Sequence, residues 1–187
     1  MSVRPGPLRA DARGNREAIL AVAVEALAES GDISLNAIAK RAGIGNATLY
    51  RHFPTRQALI LAAYRHEVQQ LVHTADDLLD RLPAGEALRA WVTRLAQYAM
   101  TKHGLAEALR SATTSDNELF AETYAPIAHA LATLLTAAGE AGVVRPGLDP
   151  DDVLLALAGF WQLNPAGDWR AQAARLYDLV LSGLRPD

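Results

Sequence analysis

Residues 34–56, SLNAIAKRAGIGNATLYRHFPTR, constrain the fold more than any other stretch. They predict two short helices joined by a glycine turn, the second ended by proline. Ser34 stands where an N-cap belongs, and Ile38, Ala39 and Ala42 give the first helix an apolar face. Gly43-Ile44-Gly45 permits the turn, with Ile44 as a plug between the helices. Asn46 is expected to cap the second helix. There Leu49 and Phe53 point inward, and Ala47, Thr48, Tyr50, Arg51 and His52 largely outward. Pro54 disfavours helical geometry at Phe53 and stops the run. A helix-turn-helix of this kind places its second helix in a DNA major groove. The same periodicity also suits a plain αα-corner, and from the residues alone both stand. Gly43-x-Gly45 lacks the third glycine of a dinucleotide loop and follows a helix instead of a strand. Asn46-Ala47-Thr48 is a glycosylation sequon, which matters only in a secreted chain.

The run IAKRAGIGNATLYRHFPTRQAL, within residues 17–59, resembles the N-terminal DNA-binding domain of the TetR family of transcriptional regulators. It follows that family's order of Ile-Ala, Ala-Gly, a hydrophobic residue, small and hydroxyl residues, Leu-Tyr, Phe, then a basic residue and a leucine. The resemblance covers roughly the first third of the chain. Beyond it, the likeness is one of helical character and length.

Charge tells where a polyanion would bind. The net charge of −3 argues against nucleic acid as a whole, but its distribution reverses the argument. Residues 1–56 carry eight Lys/Arg, Arg13 among them, against five acids, whereas residues 57–187 carry ten against sixteen. A basic head on an acidic body suits phosphate contact at one end only. With no Cys there is no disulfide framework, thiol nucleophile or thiolate metal site. The N-terminus lacks the apolar core of a signal peptide, and the run from Val153 to Trp161 is too short to span a bilayer. A soluble, cytoplasmic protein with no membrane partner is expected.

Alanine and leucine dominate, which favours helix over sheet. Residues 1–13, with two prolines and three arginines, are expected to form a flexible basic arm, either a disordered terminus or a segment that reaches DNA. Helices are expected over Asn15–Ser30, the two of the motif, and Thr55 to about Arg81. Five more follow, at Glu86–His103, Leu105–Thr113, Asn117–Ala141, Pro150–Leu163 and Ala166–Leu184. Gly104 is read as a break, and Pro126 as a kink or a division. No strand pattern or internal repeat is evident.

The resemblance therefore implies an all-α, nine-helix TetR-like fold. Residues 14–60 would be the three-helix DNA-binding domain, with the motif at about 34–53, and 61–187 the helical regulatory and dimerisation domain. It also implies a homodimer acting on double-stranded operator DNA, a repressor released by a small-molecule effector of unknown identity. By the resemblance Ser34, Tyr50, His52 and Arg56 contact phosphates. Asn46, Ala47, Thr48 and Arg51 are candidates for base edges, with Lys40 and Arg41 close to the backbone and Arg13 in the basic arm. Phosphate contacts position and base contacts specify.

Among the C-terminal helices, Trp91, Tyr98, Tyr124, His129 and Trp161 are candidates to line an effector pocket. Val153–Trp161 is apolar on nearly every face, so that it is either wholly buried or shared with a partner. The family packs its last two helices against a second subunit. Val153, Leu157, Phe160, Leu176, Tyr177 and Val180 are the interface candidates. No metal, cofactor or catalytic constellation is expected: His103, Glu122 and His129 share no helix spacing suited to a metal, and there is no GxSxG elbow or P-loop. The alternatives are a small all-α enzyme with a helical pocket, or an interaction module that does not touch DNA.

Overall fold

The structure, a computed structural model, describes residues 7–29, 33–112 and 116–186. Among these there are eight α-helices, one 3-10 helix and no strand. In chain order they are α1 (Pro7–Glu29), α2 (Leu35–Arg41), α3 (Asn46–His52), α4 (Arg56–Leu79), α5 (Ala84–Ala112), α6 (Asp116–Glu140), α7 (Pro150–Ala156), the 3-10 helix (Leu157–Gln162) and α8 (Trp169–Leu184). The chain divides into two compact units. Met1–Glu67 with Gly104–Asp116 forms the first, and Val68–His103 with Asn117–Asp187 the second. The division thus falls inside α4, seven residues past the expected end of the DNA-binding domain, and it gives the first unit a segment of α5.

In the first unit, α1 starts at Pro7 and not at Asn15, so the expected arm is helical from its seventh residue. Proline at a first helical position has its φ already set and loses no hydrogen bond that the helix needs. The Ser34 hydroxyl accepts from the Ala37 N–H at 3.2 Å, capping α2 and contributing about 1 kcal/mol. Gly43 has φ +67°, a left-handed conformation, and its N–H and that of Ile44 return to the carbonyls of Lys40 and Ala39. The cap of α3 differs from expectation. Gly45, in ordinary extended geometry, is the N-cap with no side-chain bond, and Asn46 is already the first helical residue. Ile38, Leu49 and Phe53 of the motif are fully buried, as are Ile19, Leu20 and Leu27 of α1. The Arg16 guanidinium also lies 5.1 Å from the Phe53 ring centre. Thr55 caps α4 by accepting from the Ala58 N–H at 3.1 Å.

Gly104 does not break the chain: α5 runs through it without interruption. A Cβ at this position would lie 3.1 Å from the Ala28 Cβ and 3.3 Å from its carbonyl oxygen, so the glycine serves a close approach to α1.

In the second unit, α6 passes through Pro126 undivided. Trp91 is fully buried and its indole N–H donates to the Leu71 carbonyl at 2.9 Å, which ties α5 to α4. Asp149 caps α7, and Pro150 opens it. The single helix expected over Pro150–Leu163 instead changes to 3-10 geometry at Leu157. Three residues per turn bring Leu157 and Phe160 to one side, and both are buried. Asp168 caps α8, accepting from the Ala171 N–H. At its other end the Arg145 backbone N–H donates to the Leu184 carbonyl and the Arg145 guanidinium to that of Gly183, the favourable side of the helix dipole for a cation.

Candidate functional site

The outward face of α3 is built by its short length and its two inward anchors. With Leu49 and Phe53 buried, Asn46, Ala47, Tyr50 and Arg51 form one exposed face at spacings of one, three and four residues. Tyr50 is 45% exposed. Arg51 folds back along its own helix. Its Nε donates to the Ala47 carbonyl at 3.3 Å and its NH2 to the Thr48 hydroxyl at 3.1 Å. Thr48 and His52 are half-buried, less outward than their positions suggested, and the His52 ring lies 6.2 Å from that of Phe53.

Around this face, Ser34 and Lys40 are exposed. Arg41 is exposed but ion-paired, with its NH1 2.6 Å from a carboxylate oxygen of Glu29 on α1. Arg56 is half-buried at the start of α4, its Nε reaching the Ile33 carbonyl at 3.5 Å. The Arg13 side chain lies outside the described residues. Ten of the eleven DNA-contact candidates can therefore be placed, all on or beside α2, α3 and the start of α4.

None of the five pocket candidates lines either of the two cavities described below. Trp91 and Tyr98 are buried in α5, and the Trp91 N–H is already committed. The half-buried Tyr124 donates from its hydroxyl to Asp151 at 3.0 Å. Burial foremost, then that bond and the nearby Asp149, raises its pKa above 10.0. His129 is exposed and Trp161 half-buried. Two cavities of the second unit are lined by other residues. One, of about 170 Å³, lies between α5, the 3-10 helix and α8, with Val92, Ala96, Phe160 and Ala173 as apolar wall. Its polar rim is Arg89, Thr93, Gln97 and Arg170, and Trp169 and Tyr177 add rings. The other, about 290 Å³, lies where the end of α6 meets the Pro146-Gly147-Leu148 turn. Sequence reasoning did not single out Arg89 or Arg170. The adjacent Trp169-Arg170 pair after a capping Asp was the available signal.

Of the interface candidates, Val153, Leu157, Phe160 and Tyr177 point into the core of their own unit, and Leu176 and Val180 are half-buried. The large apolar residues left outside on α7 and α8 are Leu155, 74% exposed, and Leu179, 72% exposed. Among the described residues no three His, Cys, Asp or Glu side chains come together as a metal site, and no helix is long and apolar enough to cross a membrane.

An all-α chain with an exposed, polar second helix in a helix-turn-helix and a larger helical remainder is the architecture of a helix-turn-helix transcriptional regulator. Residues 19–63 match the family described as bacterial regulatory proteins, tetR family, and residues 83–186 match a transcriptional regulator SbtR-like, C-terminal domain. The chain belongs to the TetR family of DNA-binding, effector-responsive transcriptional regulators. Among solved structures, a TetR transcriptional regulator from Streptomyces coelicolor is 47% identical, with a TM-score of 0.84 over 91% of this chain and 98% of that one. A TetR transcription regulatory protein from Mycobacterium vanbaalenii is 32% identical, with a TM-score of 0.79 over 96% of this chain and 100% of that one. An HTH-type transcriptional regulator of Staphylococcus aureus is 36% identical over 74 residues. That is 38% of this chain, which spans only 39% of that curated relative's length.

Proposed function

We propose that the chain is a cytoplasmic repressor that binds a roughly palindromic operator as a homodimer and leaves it when a small molecule binds. The observation that carries this reading is the exposed α3 face of Asn46, Ala47, Tyr50 and Arg51, held by buried Leu49 and Phe53. In the proposed complex two such faces enter successive major grooves about 34–36 Å apart. Tyr50, Ser34, His52 and Arg56 meet phosphates, with Lys40 and Arg41 beside them and Arg13 further along the backbone. Asn46, Ala47, Thr48 and Arg51 read bases, Ala47 through apolar contact such as a thymine methyl. Residues 14–60 act as the DNA head and 61–187 as the regulatory and dimerisation part.

The proposed partner surface lies on α7 and α8, where Leu155 and Leu179 are exposed. The effector favours a conformation whose heads no longer match the operator, with a coupling of about 1–3 kcal/mol. Selection from random duplex DNA, followed by footprinting on the enriched site, tests the reading. An enriched two-fold site with one protomer per half is the expected result. A chain that retains no duplex from the pool is no operator-binding protein.

A further inference from the structure

We propose that the cavity between α5, the 3-10 helix and α8 is a binding site for a small aromatic carboxylate. It deepens the effector reading above and rests on that reading for its regulatory meaning. Size comes first. A cavity of about 170 Å³ admits one ring and little more, since an engineered apolar cavity of about 150 Å³ takes up benzene. Its wall is apolar where a ring would sit, at Val92, Ala96, Phe160 and Ala173.

Charge selects the head group. The charged residues in the wall are Arg89 and Arg170, and no carboxylate is among them. Arg89 spends one NH2 on Asp178 at 2.7 Å, and its guanidinium lies 4.8 Å from the Tyr177 ring centre. The Arg170 guanidinium lies 4.3 Å from the Trp169 ring. An arginine has five N–H donors, so the Asp178 contact leaves most of the Arg89 fork for another acceptor. Gln97 receives Arg94 on its amide oxygen at 3.1 Å, which leaves its amide N–H groups as its contribution. The polar rim is thus rich in donors around a ring-sized apolar wall. Two guanidiniums held over aromatic faces are oriented before the ligand arrives, which favours bidentate capture of a planar carboxylate.

The wall also stands on the helix that presents Leu179. Tyr177 and Ala173 face the cavity from α8, and Leu179 leaves the same helix on its exposed side.

Isothermal titration of the full chain with sodium benzoate, without DNA, tests the site, with benzyl alcohol as the neutral probe of the same size. One benzoate per chain should bind in the micromolar-to-millimolar range, about tenfold tighter than benzyl alcohol. Arg170→Gln alters an exposed side chain and should remove most of that preference. Ala173→Leu, filling the cavity, should remove binding of both probes. If Ala173→Leu fails to fold, the Arg89→Gln/Arg170→Gln double variant supplies the same decision. No benzoate binding, equal affinity for the two probes, or benzoate binding unchanged in the double variant overturns the proposal. Because the readout needs no DNA, a chain that takes benzoate but no operator sinks the regulator reading alone. A chain that binds operator but not benzoate sinks only this site.

Discussion

The Arg41 guanidinium sits 2.6 Å from the Glu29 carboxylate, joining the last turn of α2 to the end of α1. Both side chains are about half exposed or more, at 47% and 63%. An exposed pair of this kind is worth roughly 0.2–1 kcal/mol, less than a phosphate contact offers. In the proposed complex the Glu29 carboxylate therefore competes with phosphate for Arg41.

Glu29→Gln should release that cation. Affinity for random duplex is expected to rise about twofold to fivefold, with the salt slope steeper by about 0.9 for one added phosphate contact. Fluorescence anisotropy at several salt concentrations reads both. An unchanged slope would show that Arg41 does not reach the backbone.

Tyr50 and Arg51, neighbours on the α3 face, should separate by role. Tyr50→Ala is expected to weaken operator and random DNA alike, by about tenfold, as loss of a phosphate contact does. Arg51→Ala should weaken operator by about 1–3 kcal/mol and random DNA little, because Arg51 must leave Thr48 and Ala47 to read a base. Operator loss alone for Tyr50→Ala would reassign that residue to base reading.

Leu179→Glu places a carboxylate in the proposed partner surface. Dimer dissociation should increase by about a hundredfold or more, with operator binding lost in parallel. The helix content should not change, since Leu179 is 72% exposed in the protomer. Sedimentation equilibrium decides it. A variant that remains dimeric moves the interface elsewhere.

The Tyr177 hydroxyl is buried without a hydrogen-bond partner. Burial foremost raises its pKa above 10.0, with Asp178 adding to the shift and Arg89 opposing it. In the unfolded chain this phenol ionises first, near pH 10, so its contribution to stability is complete below that pH and lost as pH rises through the folded value. Tyr177→Phe should flatten the alkaline fall in stability seen by urea denaturation. At neutral pH it should be neutral or stabilising by up to about 1 kcal/mol, since an unsatisfied hydroxyl is removed. A loss of 2 kcal/mol or more, on the order of a lost buried bond, would mean that the hydroxyl has a partner.

The motif was legible because its signals are local. Ser34 as cap, Gly43 as the left-handed turn and the Leu49–Phe53 pair can each be read within four residues of their partners. The cavity was not legible, because its wall joins residues 89–97, 160 and 169–177, which only tertiary packing unites. Trp91 shows the same limit. Its helical position suggested a pocket, whereas its N–H goes to a backbone carbonyl twenty residues earlier, which no side-chain pattern reveals. For Val153–Trp161, a stretch apolar all round left its inward side undefined. The change to 3-10 geometry at Leu157 then altered the phase, taking Leu157 and Phe160 inward while Leu155 stayed out.

The close approach at Gly104 is to the main chain of α1 at Ala28 as much as to its side chain. A Cβ at 104 would meet the Ala28 Cβ at 3.1 Å and also its backbone, the Cα at 3.2 Å and the carbonyl oxygen at 3.3 Å. Glycine in place of Ala28 would therefore not make room for a side chain at 104, because the backbone of α1 itself sets the limit. The crossing thus asks for glycine at 104 whatever small residue stands at 28, a constraint set by main chain and not by a partner side chain.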